Sequence, residues 1–135
     1  MVGQPLVDRK IEVSAELTKW LADSGAPLLA AYWEWRDEKG RWELLLIPTS
    51  RESERKLIDA ASDKLVEPRY RSTFSLSDVL IDARQIDRAR VIGSFIRGPE
   101  DFGRQFDTTF TGGHYFEGII VVYLSPQLVR QHHVA

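Results

Sequence analysis

The 135-residue chain contains no cysteine. That removes disulfides, thiolate metal sites and cysteine nucleophiles together, and it fits a reducing compartment. No apolar run approaches the roughly 20 residues that span a bilayer, so no membrane association is expected. The opening Met-Val-Gly-Gln-Pro-Leu-Val-Asp-Arg-Lys has no apolar stretch of signal-peptide length, and a cytoplasmic location is the expectation. Charge of one sign is missing too. A formal net charge of -2 gives no ground for a generic polyanion binder. Phosphate-cradling glycine loops and a nucleophile-elbow serine are also absent. Histidine is scarce, and the spacings do not chelate. His114 and Glu117 would point to opposite faces of a strand, and adjacent His132 and His133 splay apart. Neither a metal nor a cofactor is expected.

What is present is an aromatic hairpin, around which the remaining segments arrange themselves. Leu28 to Arg36 and Arg41 to Pro48 alternate as strands on either side of the polar loop Asp37-Glu38-Lys39-Gly40. Pairing across this even-length loop sets Arg36 against Arg41, Trp35 against Trp42, Glu34 against Glu43 and Trp33 against Leu44. Ala31, Trp33, Trp35, Trp42, Leu44 and Leu46 then share one face. A slip of one residue would bury the charges and expose the tryptophans, so the register is strongly specified.

Before the hairpin, Lys10 to Ser24 reads as a helix with Val13, Leu17, Trp20 and Leu21 as its apolar stripe, stopped by Gly25 and Pro27. After it, Thr49-Ser50-Arg51-Glu52 has the form of a capping box. The helix it opens should run to Val66, with Leu57, Ile58, Ala61 and Leu65 inside and a Glu52–Lys56 pair outside, closed by Pro68. A third strand centres on Val79 to Ile81. A third helix, opened by Asp82-Ala83-Arg84-Gln85, should reach Ile96 with Arg84, Arg88, Arg90 and Arg97 outward. Gly98 to Gly103 is a loop. A fourth strand spans Arg104 to Thr111, Gly112-Gly113 turns it, and a fifth spans Tyr115 to Leu124. The fifth is apolar on both faces, as an inner strand is. Residues 125–135 are a docking helix or a frayed end, and residues 1–9 a short leader. The result is a single α+β domain over residues 1–135, of order α-β-β-α-β-α-β-β, with a five-stranded mixed or antiparallel sheet and three helices.

This layout resembles a loose group of short bacterial proteins of unknown function. In that group a helix leads into an aromatic hairpin, a capped helix, a serine-aspartate strand, a basic helix and a final hairpin ending in tyrosine. Ala31 to Trp33, Trp42 to Ile47, Leu76 to Ile81 and Phe110 to Tyr123 carry the likeness. The resemblance implies a fold and brings no activity with it.

Three functions compete. An uncovered remainder of the two-sided apolar sheet, centred on Trp33, Trp35 and Trp42, would make a non-catalytic interaction or regulatory module. Its partner would be a second copy, as a homodimer, or another protein. Glu34 and Glu43, facing each other about 5 Å apart, could share a metal in a small hydrolase or nuclease, as could Asp78, Asp82 and Asp107. The favoured reading of the glutamates is a solvated charge ladder neutralised by Arg36 and Arg41. Arg84, Arg88, Arg97 and Arg104, with Arg69 and Arg71, could hold anions or a nucleic acid if they clustered with aromatic rings. Asp101-Phe102-Gly103 spells the kinase metal-binding tripeptide by coincidence, since its companion motifs are missing.

Overall fold

A computed structural model describes residues 2–133, with side chains to residue 129. Strands β1 (Leu28–Arg36) and β2 (Arg41–Pro48) form the hairpin in the expected register, with Trp35 opposite Trp42 and Glu34 opposite Glu43. Helix α2 (Glu54–Leu65) carries the chain back over the sheet, so β3 (Val79–Ile81) joins β2 in parallel. Strands β4 (Gln105–Phe106) and β7 (Ile119–Leu124) complete a mixed sheet of order β3-β2-β1-β7-β4. The α+β class and the five-stranded sheet therefore stand. No helix among the described residues is long and apolar enough to cross a membrane.

Helix α1 (Asp8–Asp23) ends in a Schellman motif. Gly25, at φ +85°, lets its own N–H reach Ala22 O and the Ala26 N–H reach Leu21 O. Val13, Leu17 and Leu21 face the sheet, but Trp20 does not. The buried sector is rotated towards Ser14 and Thr18, and within it the Trp33 indole N–H donates to Ser14 Oγ at 2.9 Å. Trp20 lies outside that sector beneath the Lys64 ammonium, 4.1 Å from its ring centre.

The capping box at Thr49 to Glu52 does not form. Ser50 and Ser53 instead exchange backbone-to-hydroxyl bonds at 3.0 and 3.2 Å, which delays the helix to Glu54 and leaves Glu52 outside it. Pro68 opens an element as well as following one. It is the first residue of α3 (Pro68–Arg71), which seats Tyr70 in the core and places Phe74 edge-on to Trp33 at 6.0 Å. The expected third helix begins as a 3-10 turn, Ala83–Gln85, and its α-helical part, α4 (Ile86–Gly93), stops three residues before Ile96. The end of the chain docks as α5 (Pro126–His133), with Leu128 buried beside Ala89 and Ile92.

The two long C-terminal strands are each broken. Beyond Phe106 the chain leaves the main sheet, and Thr108 Oγ1 donates to Glu117 O at 2.8 Å across the departure point. Strands β5 (Thr109–Thr111) and β6 (His114–Phe116) then form a separate two-stranded hairpin. Phe116 pins it to the core, wholly buried and edge-on to Phe95 at 5.5 Å. At the turn, Gly112 has φ +58°, and a Cβ there would stand 2.8 Å from Val91 Cγ2 of α4. Gly112→Ala is expected to cost about 1–3 kcal/mol through backbone strain. Hydrogen exchange should show faster opening of β5 and β6 than of β1.

The sheet thus has helices on both sides. Trp33, Trp35, Trp42, Leu44 and Leu46 pack beneath α1, α2 and the leader around Leu6. Tyr32, Leu45, Ile47, Ile119 and Val121 pack beneath α4, α5 and Phe116.

Candidate functional site

The surplus apolar sheet surface expected at the tryptophans is not there. Trp33, Trp35 and Trp42 are buried by the chain's own elements, and all three indole N–H groups are occupied. Trp35 donates to Asp37 Oδ1 and Trp42 to the Gln4 carbonyl. They form core rather than a contact face.

The charged end of the hairpin also differs from expectation. Glu34 and Glu43 do face each other, yet they are only 3% and 4% exposed. The cause is distant in sequence, since α4 and the β5–β6 hairpin close over them. Arg88 of α4 turns inward and donates to Glu34 Oε2 at 2.6 Å, with its guanidinium carbon 4.4 Å from the Phe116 ring centre. It also donates to the Tyr115 carbonyl. Arg36 and Lys39 hold Glu43 at 3.1 and 3.2 Å. Burial pushes the Glu34 carboxyl above its ordinary range, against the pull of Arg88 and Arg36. Burial likewise raises the Tyr32 phenol, whose hydroxyl has no hydrogen-bond partner among the described residues. Arg88 holds Glu34, Lys39 holds Glu43 and Arg36 reaches both, so the pair acts as an internal electrostatic clamp.

The remaining polar candidates are dispersed. Asp78 accepts from the Ser75 N–H, and Asp82 accepts from the Arg84 backbone and guanidinium. Burial raises the Asp82 pKa, but those bonds outweigh it and leave the carboxyl low. His114 lies within β6 beside Phe116, while Glu117 follows that strand. The side chains of His132 and His133 lie outside the described residues. Among the described residues, no group of three acidic, histidine or cysteine side chains could hold a metal ion.

The arginines do not make one stripe. Arg84 is paired with Asp82, Arg88 is inside, and Arg97 lies beyond the end of α4. Of Arg84, Arg88, Arg97 and Arg104, only Arg97 and Arg104 come together. They line an open groove of about 630 Å³ beside the Gly98 to Gly103 loop. Phe95 and Phe106, with ring centres 5.5 Å apart, supply its half-buried aromatic lining, and Thr109 and Thr111 supply hydroxyls. Asp101 shapes the loop end. It accepts from the Arg97 backbone N–H at 2.8 Å and from Arg104 at 3.5 Å. Those bonds, the Arg97 N–H first, hold its carboxyl below the usual carboxylate range.

Two features of this region were beyond a sequence reading. One is the groove, which needs the break after Phe106. The other is the hairpin's outward face, where Phe110 and Tyr115 are directly opposed and 71% and 51% exposed. The available signal was the alternation Thr109-Phe110-Thr111, which puts the ring on one side and the hydroxyls on the other. Comparison with protein-family models, curated proteins and solved structures gives no match.

Proposed function

We propose that the protein is a non-catalytic interaction module acting as a cytoplasmic homodimer, with the outward face of the β5–β6 hairpin as its contact surface. The observation that carries this reading is the exposed cross-strand pair of Phe110 and Tyr115. Large aromatics presented on a strand ladder are the side chains that interface cores favour, because they bring much area at little side-chain entropic cost. A two-fold axis beside the pair would place each ring against its counterpart, which is self-complementary by construction. The hairpin is also a two-stranded sheet, so its backbone edges are not paired into the main sheet. The commitment of Glu34 and Glu43 to internal cations supports a role without chemistry of their own.

Light scattering coupled to size exclusion is expected to give twice the monomer mass at micromolar concentration. Phe110→Ser combined with Tyr115→Ser should give a folded monomer whose melting temperature falls only by the lost contribution of dimerisation, since both side chains are exposed within the protomer. A wild-type protein that stays monomeric at every concentration would remove the proposal.

A further inference from the structure

The geometry points to the groove beside the Gly98 to Gly103 loop as a binding site for a small aromatic carboxylate. The inference is independent of the dimer, because it uses the inner side of β5 and not Phe110. The groove is lined by two guanidiniums, Arg97 and Arg104, and by two carboxylates, Asp101 and Asp107. Asp101 is already engaged by Arg104 and by the Arg97 backbone. Among the described residues the Arg97 guanidinium makes no ion pair, which leaves it available to a ligand. Asp107, the other acidic side chain lining the groove, accepts from Gln105.

The unpaired Arg97 guanidinium shares the groove with apolar rings. Phe95 and Phe106 are tilted at 43° to one another and only partly covered, so a third ring has faces and edges to pack on. Arg104 lies 5.5 Å from the Phe106 ring centre, which keeps its charge at the border between the rings and the polar end. The Thr109 and Thr111 hydroxyls can complete hydrogen bonding to a carboxylate oxygen. An arginine fork suits a planar carboxylate, and a single unpaired guanidinium suits a monoanion better than a polyanion. A flat ring joined to a carboxylate by a short link satisfies all three features together.

The test is a titration of the full chain with phenylacetate, followed by amide proton–nitrogen correlation spectra. Saturable shifts are expected at Phe95, Arg97, Phe106 and Thr109. Phenylacetamide, which keeps the ring and lacks the charge, should bind about tenfold more weakly, a difference of roughly 1.4 kcal/mol. Acetate, which keeps the charge and lacks the ring, should be weaker by a similar factor. Arg97→Gln changes an exposed side chain and should lose the preference for phenylacetate over phenylacetamide while leaving the melting temperature unchanged. The proposal is overturned if no saturable shifts appear at the groove, if phenylacetamide binds as tightly as phenylacetate, or if Arg97→Gln keeps the preference.

Discussion

Trp33→Ala is expected to lower the unfolding free energy by about 3–5 kcal/mol, the range for truncating a large buried aromatic side chain. Trp33 is wholly buried on the inner face of β1, edge-on to Phe74 and bonded to Ser14. Its loss leaves a cavity between the sheet and α1 and strips the Ser14 hydroxyl of its donor. Against a typical total of about 5–15 kcal/mol, such a change is a large fraction of the stability. Trp33→Phe keeps most of the ring volume and loses the hydrogen bond, so it should cost markedly less. Trp20→Ala provides the control. That ring is exposed and contributes a surface cation–π contact, worth about 0.5–1 kcal/mol. Urea unfolding followed by circular dichroism ranks the three variants. If Trp20→Ala proved more damaging than Trp33→Ala, the assignment of inner and outer positions on α1 and β1 would be wrong.

Trp20 and Trp33 also mark where the sequence is legible. The β1–β2 register follows from period-two alternation and a short loop, both local, and the pairing of Glu34 with Glu43 follows from them. The end of α1 is legible for the same reason, since Gly25 acts on its own turn. Which edge of an amphipathic stripe meets the core is not a local property. Trp20 lies off the buried stripe, while Ser14 lies on it and bonds a strand residue nineteen positions away. Ser50 and Ser53 show a different failure, two polar side chains competing with the expected cap for the same backbone donors.

For the candidate site, the loss of information is greater. The alternation in Arg104 to Thr111 and Tyr115 to Leu124 predicts strands, and strands form there. Nothing in it says that the chain changes sheets after Phe106, yet that change makes both the groove and the exposed pair. Glu34 and Glu43 read as solvated because they end a hairpin arm. Glu34 is buried because Arg88, more than fifty residues later, supplies the charge that makes burial tolerable, while Arg36 and Lys39 do so for Glu43. From the sequence the same arginine reads as part of a basic surface, so one long-range contact overturns two expectations.

That contact gives the second large effect. Arg88→Met keeps a linear apolar stem over Phe116 and removes the cation from Glu34, leaving a carboxylate that is 3% exposed with only Arg36 at 3.8 Å. Breaking a buried pair from one side costs about 3–5 kcal/mol at neutral pH. The pH dependence separates charge from packing. Because the folded-state pKa of Glu34 is raised above its unfolded value, its proton-linked contribution to stability is fully present below about pH 4. It is lost as pH rises through the folded pKa. Arg88→Met raises that pKa further, so the variant should regain part of its deficit when pH is lowered from neutral towards the acid range. Glu34→Gln removes the titrating group, and the double variant should be more stable at neutral pH than Arg88→Met alone. Urea midpoints for the four proteins at pH near 5 and 7 close a double-mutant cycle. A deficit that ignores pH and is not relieved by Glu34→Gln would mean that Arg88 stabilises the fold through its contact with Phe116 and the Tyr115 carbonyl, and that the buried carboxylate is sustained by Arg36.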